Sequence, residues 1–236
     1  MEEIDRFCRY FADKIEYVGT IEDKVIKKAI LMIIIDTLST AKYGDNDGHK
    51  NKFTRIIKEL SDWKDCGRVS MPQLLLVLTD DTSLAPVTND TELTLNVKKR
   101  LAAWNKGQTY EFDQDPLFFE FEHVNMSNSE RSDIEKSLHY NLFYEYRNSL
   151  IHEFKEPGYG IEISKNEMRP YYHSMDSIDE GATNYTSYTW EPVYPVGFIA
   201  TITNTILTNL RCYLEENGIN PYSMYKFSSI WRHKER

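Results

Sequence analysis

The hydrophobic positions recur with a helical period over most of the chain. In residues 3–18 an apolar side chain returns every three or four positions, which places these side chains on one face of a helix. They are Ile4, Phe7, Phe11, Ile15 and Val18. Residues 21–43 form the next predicted helix and contain an apolar block at 29–35. Because that helix is apolar nearly all round, we expect it at the centre of a helical bundle.

The same period predicts further helices along the chain. They cover about residues 49–63, a segment beginning at Pro72, 93–104, 130–154, 196 to a stop at Gly218, and 222–231. Small polar side chains that suit helix N-caps precede several of these segments. The candidate caps are Thr20, Asn89 or Thr91, and Ser127 or Ser129.

Three segments depart from the helical period. Residues 158–172 alternate apolar and polar side chains around Lys165-Asn166, a pattern that predicts a β-hairpin. Residues 105–129 have no regular period, and we predict a connecting loop packed by its own aromatic side chains. Aromatic residues recur in 174–195, where two interpretations stay open. In the first interpretation these aromatic side chains stack on unpaired bases of a nucleic acid. In the second, which we favour, they belong to a small sheet that covers the bundle.

The composition is that of an ordinary globular protein. With 236 residues, of which 41% are hydrophobic and 28% charged, the chain can bury a substantial core. Its longest apolar run, residues 29–35, is far shorter than the ~20 residues that span a bilayer. The first residues are acidic and lack the pattern of a signal peptide. We therefore expect a cytoplasmic protein without a membrane partner, folded as one domain over residues 1–236.

The cysteines are few and widely separated. Cys8, Cys66 and Cys212 form no close pair, and a sparse, odd number of cysteines fits a reducing compartment. This spacing argues against a disulfide framework, so we expect three buried, unreactive thiols.

The net charge of −9 disfavours a protein whose whole surface binds nucleic acid. It remains compatible with a nuclease that has a local cationic cleft. The available basic clusters are Lys98, Lys99 and Arg100, and residues 232–236. Short charge runs are common on solvated surfaces, so these clusters are weak indications of RNA binding.

Candidate chemistry is concentrated in the run Arg147-Asn148-x-x-x-His152, on a predicted amphipathic helix. Asn148 and His152 are four residues apart and share a helix face, and Arg147 lies one step around, so we expect all three to flank one groove. Arginine binds a phosphate bidentately, and histidine exchanges a proton near neutral pH. This set suits metal-free cleavage of a phosphodiester. A structural interpretation stays open, because Arg and His near a helix end also complement the helix dipole.

The run resembles the signature of HEPN domains, helical bundles in which an Arg and an adjacent polar residue precede a His. Many members are metal-independent endoribonucleases of toxin–antitoxin, abortive-infection and CRISPR-associated defence systems. The resemblance implies catalytic roles for Arg147, Asn148 and His152 alone. Subfamilies paired with minimal nucleotidyltransferases carry a Tyr two residues after the His, and here that position is Phe154. This departure disfavours that particular arrangement.

The resemblance also implies a helical-bundle fold, a mechanism and partners. Together with the β pattern after the motif helix, it gives the expected fold class: mainly α, a HEPN-like helical bundle with a small β-hairpin or sheet insertion at about 155–195. The substrate RNA's own 2′-hydroxyl attacks the phosphorus, with His152 as base or acid, Arg147 on the phosphorane and Asn148 orienting either partner. A homodimer supplies a second His, and a cognate antitoxin or regulatory protein is a further implied partner. The alternative is a catalytically inactive helical module that binds RNA or protein, which the acidic charge favours.

No other motif indicates a cofactor or a metal. The remaining histidines lack the spacings of a zinc site, and no phosphate-loop, dinucleotide-binding or serine-hydrolase motif occurs. These histidines are His49, His123, His139, His173 and His233. Asp113 and Asp115 form a DxD pattern, which is weak evidence for a metal. Asp36 follows the apolar block, and we expect it to form a structural hydrogen bond to a neighbouring helix.

Overall fold

The computed structural model describes residues 2–44, 47–79, 90–163, 168–177 and 187–224. Within these ranges the chain forms eight α-helices and three β-strands. The helices are α1 (Glu2–Gly19), α2 (Lys24–Tyr43), α3 (His49–Leu60), α4 (Met71–Thr79), α5 (Glu92–Leu101), α6 (Asn128–Lys136), α7 (His139–His152) and α8 (Val196–Asn217). The strands are β1 (Thr109–Glu111), β2 (Tyr171–Ser177) and β3 (Ser187–Val193). The predicted class, mainly α with a small sheet, is confirmed.

Helix α2 lies at the centre of the bundle, as its apolar block predicts. It packs against α1, α3, α7 and α8, and its Met32, Ile35 and Leu38 side chains are fully buried. The helix begins at Lys24 because Asp23, not Thr20, is its N-cap. The Asp23 carboxylate accepts a hydrogen bond of 2.9 Å from the Ile26 N–H, which satisfies a free donor of the first turn.

The single helix predicted at 130–154 is wrong, because the chain leaves the helical path between α6 and α7. Leu138 forms an antiparallel bridge with Val69, and the His139 N–H donates to the Arg68 carbonyl at 3.0 Å. On the same side, the Ser70 N–H donates to the Ser137 carbonyl at 2.9 Å. Pairing with a distant segment thus replaces the local hydrogen bonds that would continue the helix. The Ser127 N-cap of α6 is confirmed, with its Oγ accepting from Glu130 N–H.

The three strands form one antiparallel sheet in the order β1-β2-β3. The hairpin predicted at 158–172 is wrong in the described residues, since 161–163 are not a strand and β2 begins only at Tyr171. The Ile161 and Ile163 N–H groups donate instead to side chains, His173 Nε2 at 2.9 Å and the Tyr171 hydroxyl at 2.6 Å. Lys165-Asn166 lies outside the described residues. Strand β1 was not predicted, because three residues are too few for a period.

The sheet lies over the bundle with most of its aromatic side chains inward, while Tyr188 stays exposed. Tyr172, Trp190 and Tyr194 are buried, and Trp104 stacks on Tyr110 with ring centroids 4.5 Å apart. The favoured interpretation of 174–195, a sheet that covers the bundle, is therefore confirmed for the described strands. Tyr185 lies outside the described residues.

The predictions for the end of α8, for the last helix and for the cysteines are confirmed only in part. Helix α8 ends at Asn217 as predicted, with Gly218 in the left-handed conformation at φ 61°. The helix predicted at 222–231 is a short 3₁₀ turn at Pro221–Met224 in its described part, and residues 225–236 lie outside the described residues. Cys8 is buried as expected, but Cys212 is exposed. No helix among the described residues is both long and apolar enough to cross a membrane.

Candidate functional site

Helix α7 carries the whole motif and is fixed by its buried face. Phe143, Tyr146 and Leu150 lie in the core, where α7 packs against α2 and α3. The helix ends at His152, and the Glu153 N–H closes the last turn on the Ser149 carbonyl at 2.9 Å. Phe154 follows with φ 56°, a left-handed conformation that side chains with a Cβ rarely adopt. This sharp turn reverses the chain beside the motif.

Asn148 and His152 line one cleft, as their spacing of four residues predicts. The cleft lies between the outer face of α7, with Glu145 and Ser149, and the chain that returns after the helix. His152 is exposed to solvent, and among the described residues no hydrogen bond engages its ring. The ring is therefore free to meet a ligand in the cleft.

Arg147 does not line this cleft but turns toward α2. Its Nη2 pairs with the Asp36 carboxylate, and its Nη1 donates to the Asn148 Oδ1 at 2.9 Å. The side chain is only 11% exposed, and its Nε has no partner within the described residues. Burial raises the pKa of Asp36, and the Arg147 charge opposes that rise. The expected contact of Asp36 with a neighbouring helix is present, with Arg147 of α7 as the partner. The expected common groove for all three motif side chains is wrong for Arg147.

Asn148 connects the arginine to the cleft. Its Nδ2 donates to the Glu145 Oε2 at 3.2 Å, and the Glu145 Oε1 lies 3.4 Å from the Lys50 Nζ of α3. A chain of polar contacts thus runs from Asp36 through Arg147 and Asn148 to Glu145 and Lys50. It joins three helices at the motif and fixes the Asn148 amide in orientation.

Residues 156–163, which we call the strap, are anchored on α2, and residues 156–159 of the strap form the outer wall of the cleft. The Lys28 Nζ pairs with Glu156 at 2.8 Å and with Glu162 at 2.7 Å, and the Lys28 side chain is completely buried. Tyr146 donates its hydroxyl proton to Glu156 at 2.6 Å. A buried ammonium is tolerated because two carboxylates compensate its charge. A lysine inside a central apolar helix was the sequence signal for this contact, and it was missed.

The other side of the strap packs on the sheet. The Ile161 N–H donates to His173 Nε2, and the Tyr159 N–H lies 3.4 Å from Glu191 Oε2. Gly158, at φ 72°, leaves room for the Glu191 carboxylate, with which a Cβ at that position would collide. Gly158, the ion pairs with Lys28 on one flank and the hydrogen bonds to the sheet on the other therefore fix the path of the strap.

The cleft is rich in carboxylates. Glu145, Glu153 and Glu156 line it together with one lysine, Lys155, which itself pairs with Glu153 at 3.1 Å. Negative charge on this wall repels a phosphate. An anion in the cleft would therefore depend on Arg147, on His152 in its protonated form, or on groups from a second molecule.

A buried polar network that the sequence did not reveal joins the start of α7 to the sheet. Asp115 accepts from the Met71 N–H at 3.2 Å and from the Tyr172 hydroxyl at 2.6 Å, and its Oδ2 lies 2.8 Å from His139 Nε2. Tyr172 also contacts the Ser70 hydroxyl at 2.8 Å. Burial, and next the Asp115 charge, raise the pKa of Tyr172 far above its usual value, so the hydroxyl stays a donor. These residues are enclosed, and we assign them to stability.

The basic clusters and the DxD pattern do not form a second site in the described residues. Lys98 pairs with Asp90 at 2.7 Å and Arg100 with Glu120 at 3.3 Å, so both cations are engaged locally. Residues 232–236 lie outside the described residues. Asp113 is exposed while Asp115 is buried, and within the described chain no three His, Cys, Asp or Glu side chains form a group that could hold a metal.

Comparison with known proteins places the chain in no family. No family model, no curated protein and no solved structure matches it. A function therefore has to be inferred from the residues of the site.

Proposed function

We propose that this chain is a HEPN-like endoribonuclease that cuts RNA without a metal. The observation that carries the proposal is the cleft in which Asn148 and the exposed His152 lie together, with the Arg147 guanidinium hydrogen-bonded to Asn148. This set brings a proton-transfer group, an amide and a cation to one end of α7. The carboxylates of the cleft and the ion pair of Arg147 count against the proposal and define its tests.

In the proposed reaction the substrate's 2′-hydroxyl attacks the adjacent phosphorus. The bond to the 5′-oxygen breaks, and the products are a 2′,3′-cyclic phosphate and a 5′-hydroxyl. His152 removes the 2′-proton or protonates the leaving oxygen, a role worth ~10²–10⁴-fold in rate. Arg147 stabilises the charge of the phosphorane, and loss of such support costs ~10²–10³-fold. Asn148 orients the phosphate or the imidazole.

Arg147 reaches a phosphate only if its pair with Asp36 permits it. The guanidinium has five N–H donors. Asp36 contacts one terminal nitrogen and Asn148 the other, so donors remain for a phosphate. In the proposal, Asp36 positions Arg147 in the apo protein, and the bound phosphate takes over part of that contact. Asp36→Asn is then expected to preserve or raise RNA affinity, because the same cation loses a competing anion.

The proposal includes a homodimer, RNA as substrate and a defence setting. One His152 per chain does not readily serve as both base and acid in one event, so two motif helices supply the pair. A toxin–antitoxin or phage-defence role adds a cognate antitoxin or regulatory protein as a partner, and places the protein in the cytoplasm.

The decisive experiment incubates the purified protein with total tRNA and a mixed mRNA pool in excess EDTA, followed by analysis of the fragment ends. Wild type is compared with His152→Ala and with His123→Ala, an exposed histidine outside the motif. Cleavage by wild type and His123→Ala alone, with cyclic-phosphate ends, supports the proposal. Cleavage that survives in His152→Ala refutes it.

A second candidate function is a catalytically inactive helical module that binds RNA or protein. The observation that favours it is the ion pair of Arg147 with Asp36, which makes the arginine a structural link between α7 and α2. Under this hypothesis, Arg147→Ala lowers thermal stability and Asp36→Asn does the same, while no RNA is cut. Under the nuclease hypothesis, Arg147→Ala abolishes cleavage in a protein that stays folded.

A further inference from the structure

A second cleft lies beside the His152 cleft, between α4, α7, the strap and β3. We call it the tyrosine cleft, because Tyr146, Tyr159 and Tyr194 line it. Glu145 and Glu191 also line it, and Leu76 of α4 contributes an apolar wall. The two clefts share Glu145 and strap residues 157–159, so they are neighbouring compartments separated by little more than one side chain.

Glu191 gives this cleft a buried carboxyl group whose partners among the described residues are neutral donors. The residue is only 8% exposed, and its carboxylate accepts from the Thr189 hydroxyl at 2.9 Å and from the Tyr159 N–H at 3.4 Å. No lysine or arginine of the described chain pairs with it, in contrast to Glu156 and Glu162. A buried carboxylate held by neutral donors alone retains much of its desolvation cost. A cation that enters the cleft recovers part of that cost.

The aromatic walls favour the same kind of occupant. Tyr159 is 76% exposed, whereas Tyr146 and Tyr194 are buried. The Lys28 ammonium already lies 5.8 Å from the Tyr146 ring centroid, so the exposed Tyr159 ring is the wall that a new cation would meet. Tyrosine faces attract organic cations, more strongly where water is excluded. The Tyr194 hydroxyl is buried and has no hydrogen-bond partner among the described residues, so the cleft also contains an unused polar group.

We infer that the tyrosine cleft binds a small organic cation, a guanidinium or alkylammonium group, with Glu191 as its counter-ion. None of the described residues that line the cleft is a lysine or an arginine, which disfavours phosphates and carboxylates as ligands. The aromatic and proline walls suit an alkylated cation better than a hydrated metal ion. This site is independent of the ribonuclease proposal, since neither Arg147 nor His152 lines it.

The test is a ¹H–¹⁵N NMR titration of the full chain with n-butylguanidinium and with n-butylurea, a neutral compound of nearly the same shape. We expect saturable shifts at Gly158 and Tyr159 with the cation, with a Kd on the order of 1 mM for so small a ligand. The urea should shift these resonances little. Equal binding of both compounds, or saturation by neither, overturns the inference.

Two matched variants locate the counter-ion. Glu191→Gln keeps an acceptor for Thr189 and Tyr159 but removes the charge, and should weaken binding of the cation by about tenfold or more. Glu153→Gln, which lies in the His152 cleft only, should leave the affinity unchanged. If Glu191→Gln does not fold, Glu191→Asp replaces it, which draws the carboxylate back from the cleft by one methylene, with a smaller expected loss. Unchanged affinity in the Glu191 variant that folds overturns the assignment.

The source of the cation is distinguished by two probes of equal charge. The n-butylguanidinium ion represents a free small cation, and acetyl-Gly-Arg-Gly-amide presents the same guanidinium on a polypeptide. Tighter binding of the peptide identifies an arginine of a partner as the ligand class, and equal or weaker binding of the peptide identifies a free metabolite. Failure of both overturns the site.

Discussion

At the scale of single residues, the most demanding position is Asp115, a carboxylate enclosed in the core. Its charge is tolerated because the Met71 N–H and the Tyr172 hydroxyl donate to it and His139 lies within hydrogen-bond distance. Each hydrogen bond to a charged group contributes about 1.5–3 kcal/mol. The network thus connects α4, α7 and β2 through one side chain.

Replacing Asp115 tests that contribution. Asp115→Asn retains the size of the side chain but places an NH₂ group where two donors converge, so we expect a loss of about 3 kcal/mol in the free energy of unfolding. Asp113→Asn, the exposed control two residues earlier, should change it by less than about 0.5 kcal/mol. Urea unfolding measures both. An Asp115→Asn variant as stable as the control would show that the network is energetically neutral.

Phe154 offers the opposite kind of test, a residue that costs stability. It adopts φ 56° directly after α7, and its ring is 65% exposed. Phe154→Gly removes the Cβ that makes this conformation unfavourable, and should stabilise the protein by roughly 0.5–1 kcal/mol. Phe154→Ala removes the ring but keeps the Cβ, so thermal unfolding of this control should show no comparable gain. A gain of equal size in both variants would assign the effect to the ring.

At the scale of elements, the strap depends on ion pairs with α2. Lys28 is buried between Glu156 and Glu162, and Glu162 also pairs with Lys24 at 2.6 Å. Without Lys28, Glu156 would lose its cation and Glu162 would keep only the more exposed one. We expect Lys28→Met to cost about 3–5 kcal/mol, as the loss of one member of a buried ion pair does, and to accelerate amide exchange in the strap.

The matched control for this prediction is Lys27→Met, one position away on the same helix, where neither effect is expected. Adding Glu156→Gln and Glu162→Gln to Lys28→Met removes the uncompensated charge and should restore much of the stability. Hydrogen exchange followed by mass spectrometry measures the strap directly. A strap that stays protected in Lys28→Met would mean that its contacts with the sheet suffice.

The strap should also loosen in mild acid. Burial lowers the pKa of His173 from its usual 6.5, with the Ser174 backbone and the Glu191 charge opposing that change. The neutral ring accepts from the Ile161 N–H, and a protonated ring cannot. Since the unfolded chain takes up the proton first, the stability that His173 contributes is complete above pH 6.5 and falls as the pH decreases toward the lower folded value.

The comparison of wild type with His173→Gln isolates this effect from the other histidines. Glutamine keeps an acceptor that does not titrate. As the pH falls from about 7.5 to about 5.5, the free energy of unfolding of the wild type should therefore decrease relative to that of the variant. Urea unfolding across that range gives the difference. A difference that is constant with pH would exclude His173 as the titrating group.

The elements that could be predicted from the sequence are those whose stability is local. The periods of α1, α2, α3 and α8 are carried by their own apolar stripes, and Gly218 alone is enough to end α8. The break before α7 was not predictable, because no glycine or proline marks it and the cause is backbone pairing with residues 68–70. Strap residues 161–163 alternate like a strand, but side chains take up the hydrogen bonds that a partner strand would have supplied.

The same distinction applies to the candidate site. The proximity of Asn148 and His152 follows from helical spacing alone, and the structure places both in one cleft. The direction of Arg147 depends on Asp36, 111 positions earlier, and the strap depends on Lys28, 128 positions before Glu156. Contacts at such separations leave no pattern in a single sequence.

At the scale of the whole molecule, the proposed reaction requires two copies of the chain. If one His152 acts as base and the partner's as acid, a mixed dimer with a single intact histidine is inactive. Exchange of wild-type subunits with His152→Ala subunits should then reduce RNA cleavage with the square of the wild-type fraction. Cleavage assays on a series of such mixtures measure this. A linear decrease would show that each chain works alone.

The Asp115 network also determines the order in which its contacts can form during synthesis of the chain. Ser70 and Tyr172, which touch within it, are 102 positions apart, and His139 lies between them in sequence. Contacts between residues so far apart form only after the loop between them has closed. During synthesis, the first turn of α7 can pair with Arg68, Val69 and Asp115 as soon as it is made, but the Tyr172 contact follows only after β2 has left the ribosome. A chain interrupted before that point already contains Arg147, Asn148 and His152, but not the tyrosine that completes the network below their helix.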